Sequence, residues 1–152
     1  MRKTARTKVL TLLFVTLILS LANVSAFSQT LIDSFEYSNA EESMMRIDSF
    51  LMYLREKPNA KGYFIIYGGK LNKKGEVEAH IKQLPSYLKM RLVDKNRIVI
   101  TNGGFREKLS WDFWLVDVGE DLPKPEATVE SKNVKTKGKF KTKNIFLYYC
   151  CE

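Results

Sequence analysis

The chain has 152 residues, 45% of them apolar, which allows one domain with a real core and extensions but not two large domains. Its formal charge of +8 points to nucleic acid until the charges are located: Arg2, Lys3, Arg6 and Lys8 all fall near the start with no acid to balance them. Without those four, 21 basic residues face 17 acidic ones, an excess too mild for DNA or RNA to be the main partner.

The basic start leads into an uncharged run from Val9 to Ala26 that closes on Val24-Ser25-Ala26. A charged n-region, an apolar centre and small residues before a cut are the parts of a secretory signal peptide, so residues 1–26 are expected to be removed after Ala26 and the chain exported, to the periplasm or beyond. The alternative is an uncleaved anchor, since the run approaches the length of a spanning helix. No Cys lies near the cut, which argues against a lipid-anchored form.

Leu31–Tyr37 alternates loosely and predicts a first, half-buried strand. Ser38 stands three residues before Glu41, the spacing of a capping box, and Met44, Ile47, Phe50, Leu51 and Leu54 follow as one apolar stripe, predicting a helix that Pro58-Asn59 stops. Tyr63-Phe-Ile-Ile-Tyr67, bounded by Gly62 and by Gly68-Gly69, reads as a central strand buried on both faces. A second helix is expected after Gly75, its stripe being Val77, Ile81, Leu84, Leu88 and Leu92, with Pro85 kinking or splitting it. Arg97–Thr101 is a short strand ended by Asn102-Gly103-Gly104, and a last strand runs through Trp111–Val116. Trp111 and Trp114 point to opposite faces there, so one should be buried and the other nearer solvent. The order β-α-β-α-β-β makes an α+β domain over residues 27–118, in which the strands at 63–67 and 97–101 run parallel. From Gly119 the character changes. Pro123 and Pro125 introduce a linker, and Lys135, Lys137, Lys139, Lys141 and Lys143 alternate with other residues. Residues 119–152 are therefore expected to be a basic C-terminal extension, a mobile tail rather than the alternative, an edge strand with a lysine face.

Arg46–Leu54 before Pro58–Gly62, the strand ending Ile66-Tyr67-Gly68-Gly69, Pro85–Leu88 and Asp94–Ile98 carry a resemblance to the C-terminal domain of the outer-membrane protein A (OmpA-like) family. With Gly103-Gly104-Phe105-Arg106-Glu107 added, the chain is more similar still to a group of small secreted proteins of unknown role. The resemblance implies a two-layer α/β sandwich and non-covalent binding of peptidoglycan through an Asp after the central strand and an Arg in the second helix. Here Gly69 or Lys70 stands at the first position and His80 at the second, so the family's charge pair is absent.

Ligands in such sheets gather outside the carboxyl ends of parallel strands. That end would collect Gly68, Gly69, Lys70, Asn72, Lys73, Lys74, Asn102 and Arg106, a cationic set suited to a carboxylate or phosphate such as peptidoglycan or another anionic envelope component. The alternative is that the glycines serve tight turns and the lysines keep a loop soluble. His80, the only histidine, reads as a partly exposed helix residue or a lone general base, and it excludes a multi-histidine metal site. No P-loop or other cofactor motif is present. Cys150 and Cys151 are adjacent and have no third Cys to pair with, leaving an intermolecular disulfide to a protein partner or homodimer, or free thiols. The reading is a non-enzymatic binding module of the cell envelope. An assembly role for the tail and its cysteines is the first alternative, and a hydrolase without a recognisable catalytic set the second.

Overall fold

The computed structural model describes residues 29–141 and 145–146; the segment expected to be a signal peptide and the Cys150-Cys151 pair lie outside them. The described chain is a mixed α+β protein of two helices and six strands in two sheets. Its elements are β1 (Thr30–Glu36), α1 (Ala40–Glu56), β2 (Lys61–Gly69), β3 (Leu71–Lys74), α2 (Glu76–Met90), β4 (Ile98–Arg106), β5 (Ser110–Val116) and β6 (Lys135–Lys139). The main sheet has the order β1-β5-β2-β4, and β3 pairs with β6 in a separate ribbon.

β2 is the centre. It pairs parallel with β4 and antiparallel with β5, and every residue from Gly62 to Gly69 is buried. The uninterrupted apolar run follows from this position, because a strand covered on both faces has no place for alternating polar residues. Phe64 and Ile66 join Phe113, Trp111 and the apolar stripes of both helices in one core, which Tyr63, Ile65 and Tyr67, pointing the other way, do not enter. The parallel pairing of β2 and β4 across α2 is the crossover the sequence predicts. Trp111 is buried and Trp114 half-buried, as alternation requires.

Several local expectations shift. Asn39 rather than Ser38 caps α1, its Oδ1 accepting the Glu42 N–H at 2.8 Å while the Ser38 hydroxyl donates to the Glu42 carboxylate. α2 runs through Pro85 without splitting. It ends at Met90 in a paired closure, with the Val93 N–H donating to the Leu88 carbonyl at 3.1 Å and the Leu92 N–H to Lys89 at 3.0 Å. Leu92 takes the left-handed position usual for Gly, with φ 58°, so it leaves the buried stripe and is 93% exposed. β4 continues past Thr101 through Asn102-Gly103-Gly104 to Arg106.

The chain beyond Val118 packs onto this core. The Thr128 and Val129 N–H groups both donate to the Phe105 carbonyl at 3.0 Å, Glu126 N–H donates to the Tyr67 hydroxyl at 3.2 Å, and Val129 is buried. This strap crosses the Tyr67 end of the sheet's second face. β6 then pairs parallel with β3, so residues 135–139 are the edge strand and not the expected mobile tail. Ile145 and Phe146 are buried in the main core, the Ile145 N–H donating to Gln83 Oε1 at 2.5 Å.

Candidate functional site

The fold brings Gly68, Gly69, Lys70 and Arg106 to one end of the β2–β4 pair, with Gly69 opposite Arg106, but sets their side chains to different tasks. Gly68 and Gly69 are extended members of β2, and among Gly68, Gly69, Gly103 and Gly104 only Gly104, at φ 88°, needs a left-handed conformation. Gly68 and Gly103 serve close packing instead. A Cβ on Gly68 would lie 2.8 Å from the Phe105 ring, and one on Gly103 would lie 2.3 Å from the Tyr67 ring. Each glycine thus makes room for an aromatic ring on the partner strand.

Arg106 turns inward. Its Nη1 and Nη2 donate to Asp112 Oδ1 and Oδ2 at 2.9 and 2.6 Å, and its guanidinium carbon lies 3.6 Å from the centre of the Tyr67 ring. Nε donates to the Glu126 carbonyl at 3.2 Å, and the Ser34 hydroxyl donates to Asp112 at 2.6 Å. Asp112 is buried, so this fork is a satisfied ion pair that ties β1, β5, β4 and the strap together. Burial raises the Tyr67 phenol above its ordinary pKa and keeps it neutral under the arginine. Asp112 escaped sequence reasoning because Arg106 reaches it across β2, an adjacency that only the sheet order creates.

Asn102 is exposed and its Oδ1 accepts the Gly104 N–H at 2.9 Å, whereas Asn72 is buried and is not presented to a ligand. His80 is buried too, not partly exposed. Its ring lies 4.7 Å from Tyr37 and 5.4 Å from Trp111, both edge to face, with Phe140 and Phe146 at 6.1 and 6.4 Å. Desolvation in this aromatic nest pushes its pKa down to about 4, so at neutral pH it is an uncharged core residue without access to substrate.

Lys70, Lys73 and Lys74 remain at the surface, where the fold brings the tail lysines to them. The Lys135 N–H donates to the Lys70 carbonyl at 2.8 Å, and Phe140 N–H donates to Lys74 at 3.0 Å, which sets β6 alongside β3. Lys74 lies opposite Lys139 in this ribbon. Lys70 is paired with Glu107 at 3.2 Å, and Lys132 with Glu130 at 2.6 Å, so the cleft of about 670 Å³ between strap and ribbon is lined by opposed charges. The ribbon is different. Lys74, Lys135, Lys137 and Lys139 have no ion pair among the described residues, and neither strand contains an acid. Lys73 rests 6.0 Å from the Phe140 ring. β6 is exposed along its whole length. A bulge interrupts the side-chain alternation of β6, because Asn72 pairs with Thr136 and Lys74 with Lys139 while Gly138 takes φ 68°; Lys139 therefore lies on the side of Lys74 and Lys135 on the side of Leu71, so the cations stand on both sides of the ribbon. An exposed cationic ribbon of this kind, with no enclosing walls, suits a repeating anionic surface and not a small ligand that needs enclosure.

Among the described residues no group of three or more His, Cys, Asp or Glu side chains gathers as a metal site, and no helix is long and apolar enough to cross a membrane. No protein-family model matches the chain, and comparison with curated proteins and with solved structures returns no match.

Proposed function

We propose that this chain is a non-enzymatic binding module of the cell envelope, built on an OmpA-like core, that holds an anionic polymer against the lysine ribbon of β3 and β6. The observation that carries the reading is the gathering of Lys73, Lys74, Lys135, Lys137 and Lys139 into two paired, acid-free strands. The core reading is supported by two helices packed with one face of a four-stranded sheet and by the parallel β2–α2–β4 crossover. Peptidoglycan with its attached anionic polymers is the proposed ligand, held by charge rather than through the position of His80, which is buried. Export by the N-terminal segment belongs to the same proposal.

The test is a pull-down of residues 27–152 with purified peptidoglycan, with and without its anionic attachments, at low and moderate salt. Wild-type protein is expected to bind the anionic form and release it as salt rises. The triple change Lys135→Gln, Lys137→Gln and Lys139→Gln is expected to weaken binding about tenfold or more, at roughly 1 kcal/mol for each lysine that faces the charged surface. Binding that the triple change leaves intact, or no binding to either form, would refute the assignment.

A further inference from the structure

β4 lies at the outer edge of the main sheet, with β2 on one side. The strap bridges it at Phe105 and Val129, and no strand among the described residues pairs with its edge from Ile98 to Asn102. An open edge of this kind presents backbone donors and acceptors to any extended chain. Beside it, between β4 and the second half of α2, runs a groove of about 590 Å³ lined by Leu88, Val93, Ile98 and Ile100. Pro85, Lys89 and Lys95 complete the lining, and neither lysine has an ion pair among the described residues. The nearby Asp94 carboxylate is turned onto the Asn96 N–H at 2.9 Å. Next to Val93, Leu92 is 93% exposed in a left-handed conformation, and Met90 is 50% exposed. An open edge, an apolar groove and two uncompensated cations stand together at one place.

We infer that this edge and groove dock an extended peptide from another protein. The peptide adds a strand to β4, sets alternate apolar side chains in the groove and brings acidic residues to Lys89 and Lys95. Strand addition supplies affinity through main-chain hydrogen bonds and specificity through alternate side chains. A second copy of this chain is a poorer occupant, because the β4 segment it would add, Ile98–Arg106, contains no acid to meet Lys89 and Lys95. The chain's own C-terminal segment is also poorer: Phe146 lies against Tyr87 and His80, side chains that do not line the groove.

The experiment is selection from a library of random peptides about ten residues long, enough to span an ordinary strand, against residues 27–152. The selected peptides are then measured by fluorescence anisotropy. Enriched peptides are expected to alternate apolar residues and to carry Asp or Glu. The surface change Lys89→Glu with Lys95→Glu is expected to weaken them about tenfold, the worth of two exposed ion pairs. N-methylation of the peptide backbone is expected to abolish binding at one set of alternate positions and spare the other, which a merely greasy contact would not do. Absence of enrichment would overturn the inference, as would binders lost with the Lys135, Lys137 and Lys139 changes but not with Lys89 and Lys95. Self-association abolished by Ile100→Asp, or peptide binding that appears only after residues 142–152 are removed, would assign the groove to another occupant and overturn it too.

Discussion

His80 gives the most quantitative handle on this structure. Its folded pKa is about 4 because burial among Tyr37, Trp111, Phe140 and Phe146 penalises the imidazolium, whereas in the unfolded chain it returns to about 6.5. Between these values the unfolded state holds a proton that the folded state does not, so stability falls as pH drops. The slope is about 1.4 kcal/mol per pH unit, for a total of roughly 3 kcal/mol below pH 4 and none above pH 7. Urea denaturation from pH 7.5 to 4 should show this loss in wild type but not in His80→Phe, which keeps an aromatic ring in the nest and removes the titration. The difference between the two curves carries the test, because the carboxylates titrate in both proteins. Parallel curves, or an imidazole NMR titration near pH 6.5, would refute the buried neutral His80.

Three further changes probe the packing. Gly103→Ala sets a Cβ 2.3 Å from the Tyr67 ring and should lower stability by about 2 kcal/mol or more in thermal or urea unfolding. Arg97 Nη2 donates to the carbonyls of Leu54 and Lys57 at 2.7 Å and Ala60 at 3.0 Å, closing the end of α1. Arg97→Lys loses that fork and should cost about 1–2 kcal/mol by the same measurement. Leu92→Gly relieves the left-handed conformation of an exposed side chain and should raise stability by up to about 1 kcal/mol; a lowered midpoint would show that Leu92 packs in solution.

The elements legible in the sequence are those specified locally. The apolar run at Tyr63–Tyr67 announced a strand covered twice, and the stripe from Ile47 to Leu54 announced the face that α1 buries. The helix start was read one residue early because Ser38 and Asn39 are both good caps and Glu41 and Glu42 both follow at capping distance. β3 and β6 were illegible as a pair. Leu71-Asn-Lys-Lys74 has no alternation, and β6 exists as a strand only by hydrogen bonding to a segment 64 or 65 residues earlier. Reading the glycine pairs as turns rested on conformation alone, whereas three of the four glycines are extended and two of those make room for Tyr67 and Phe105. His80 misled for a related reason: its own helix puts it beside the stripe, but Tyr37 and Phe146, far away in sequence, bury it.

The second face of the sheet explains why the candidate site lies where it does. Ile65, Tyr67 and Asp112 are buried on the side away from the helices, and the strap satisfies this side by bonding to the Tyr67 hydroxyl, to Arg106 and to Phe105. A buried ion pair such as Arg106–Asp112 is tolerable only with its remaining donors and acceptors met, and the Glu126 carbonyl and the Ser34 hydroxyl do this. The strap is therefore a structural demand of the core and not an appendage. By leaving the sheet at Phe105 and turning through Ser131–Asn133, it delivers Lys135 to the Lys70 carbonyl, and from there the pairing of β6 with β3 follows. The same bridge at Phe105 stops short of Ile98–Asn102, which leaves that part of β4 open beside its groove. One packing requirement thus builds the cationic ribbon and sets the limit of the free edge, so the two proposed surfaces can engage a polymer and a peptide without competing for residues.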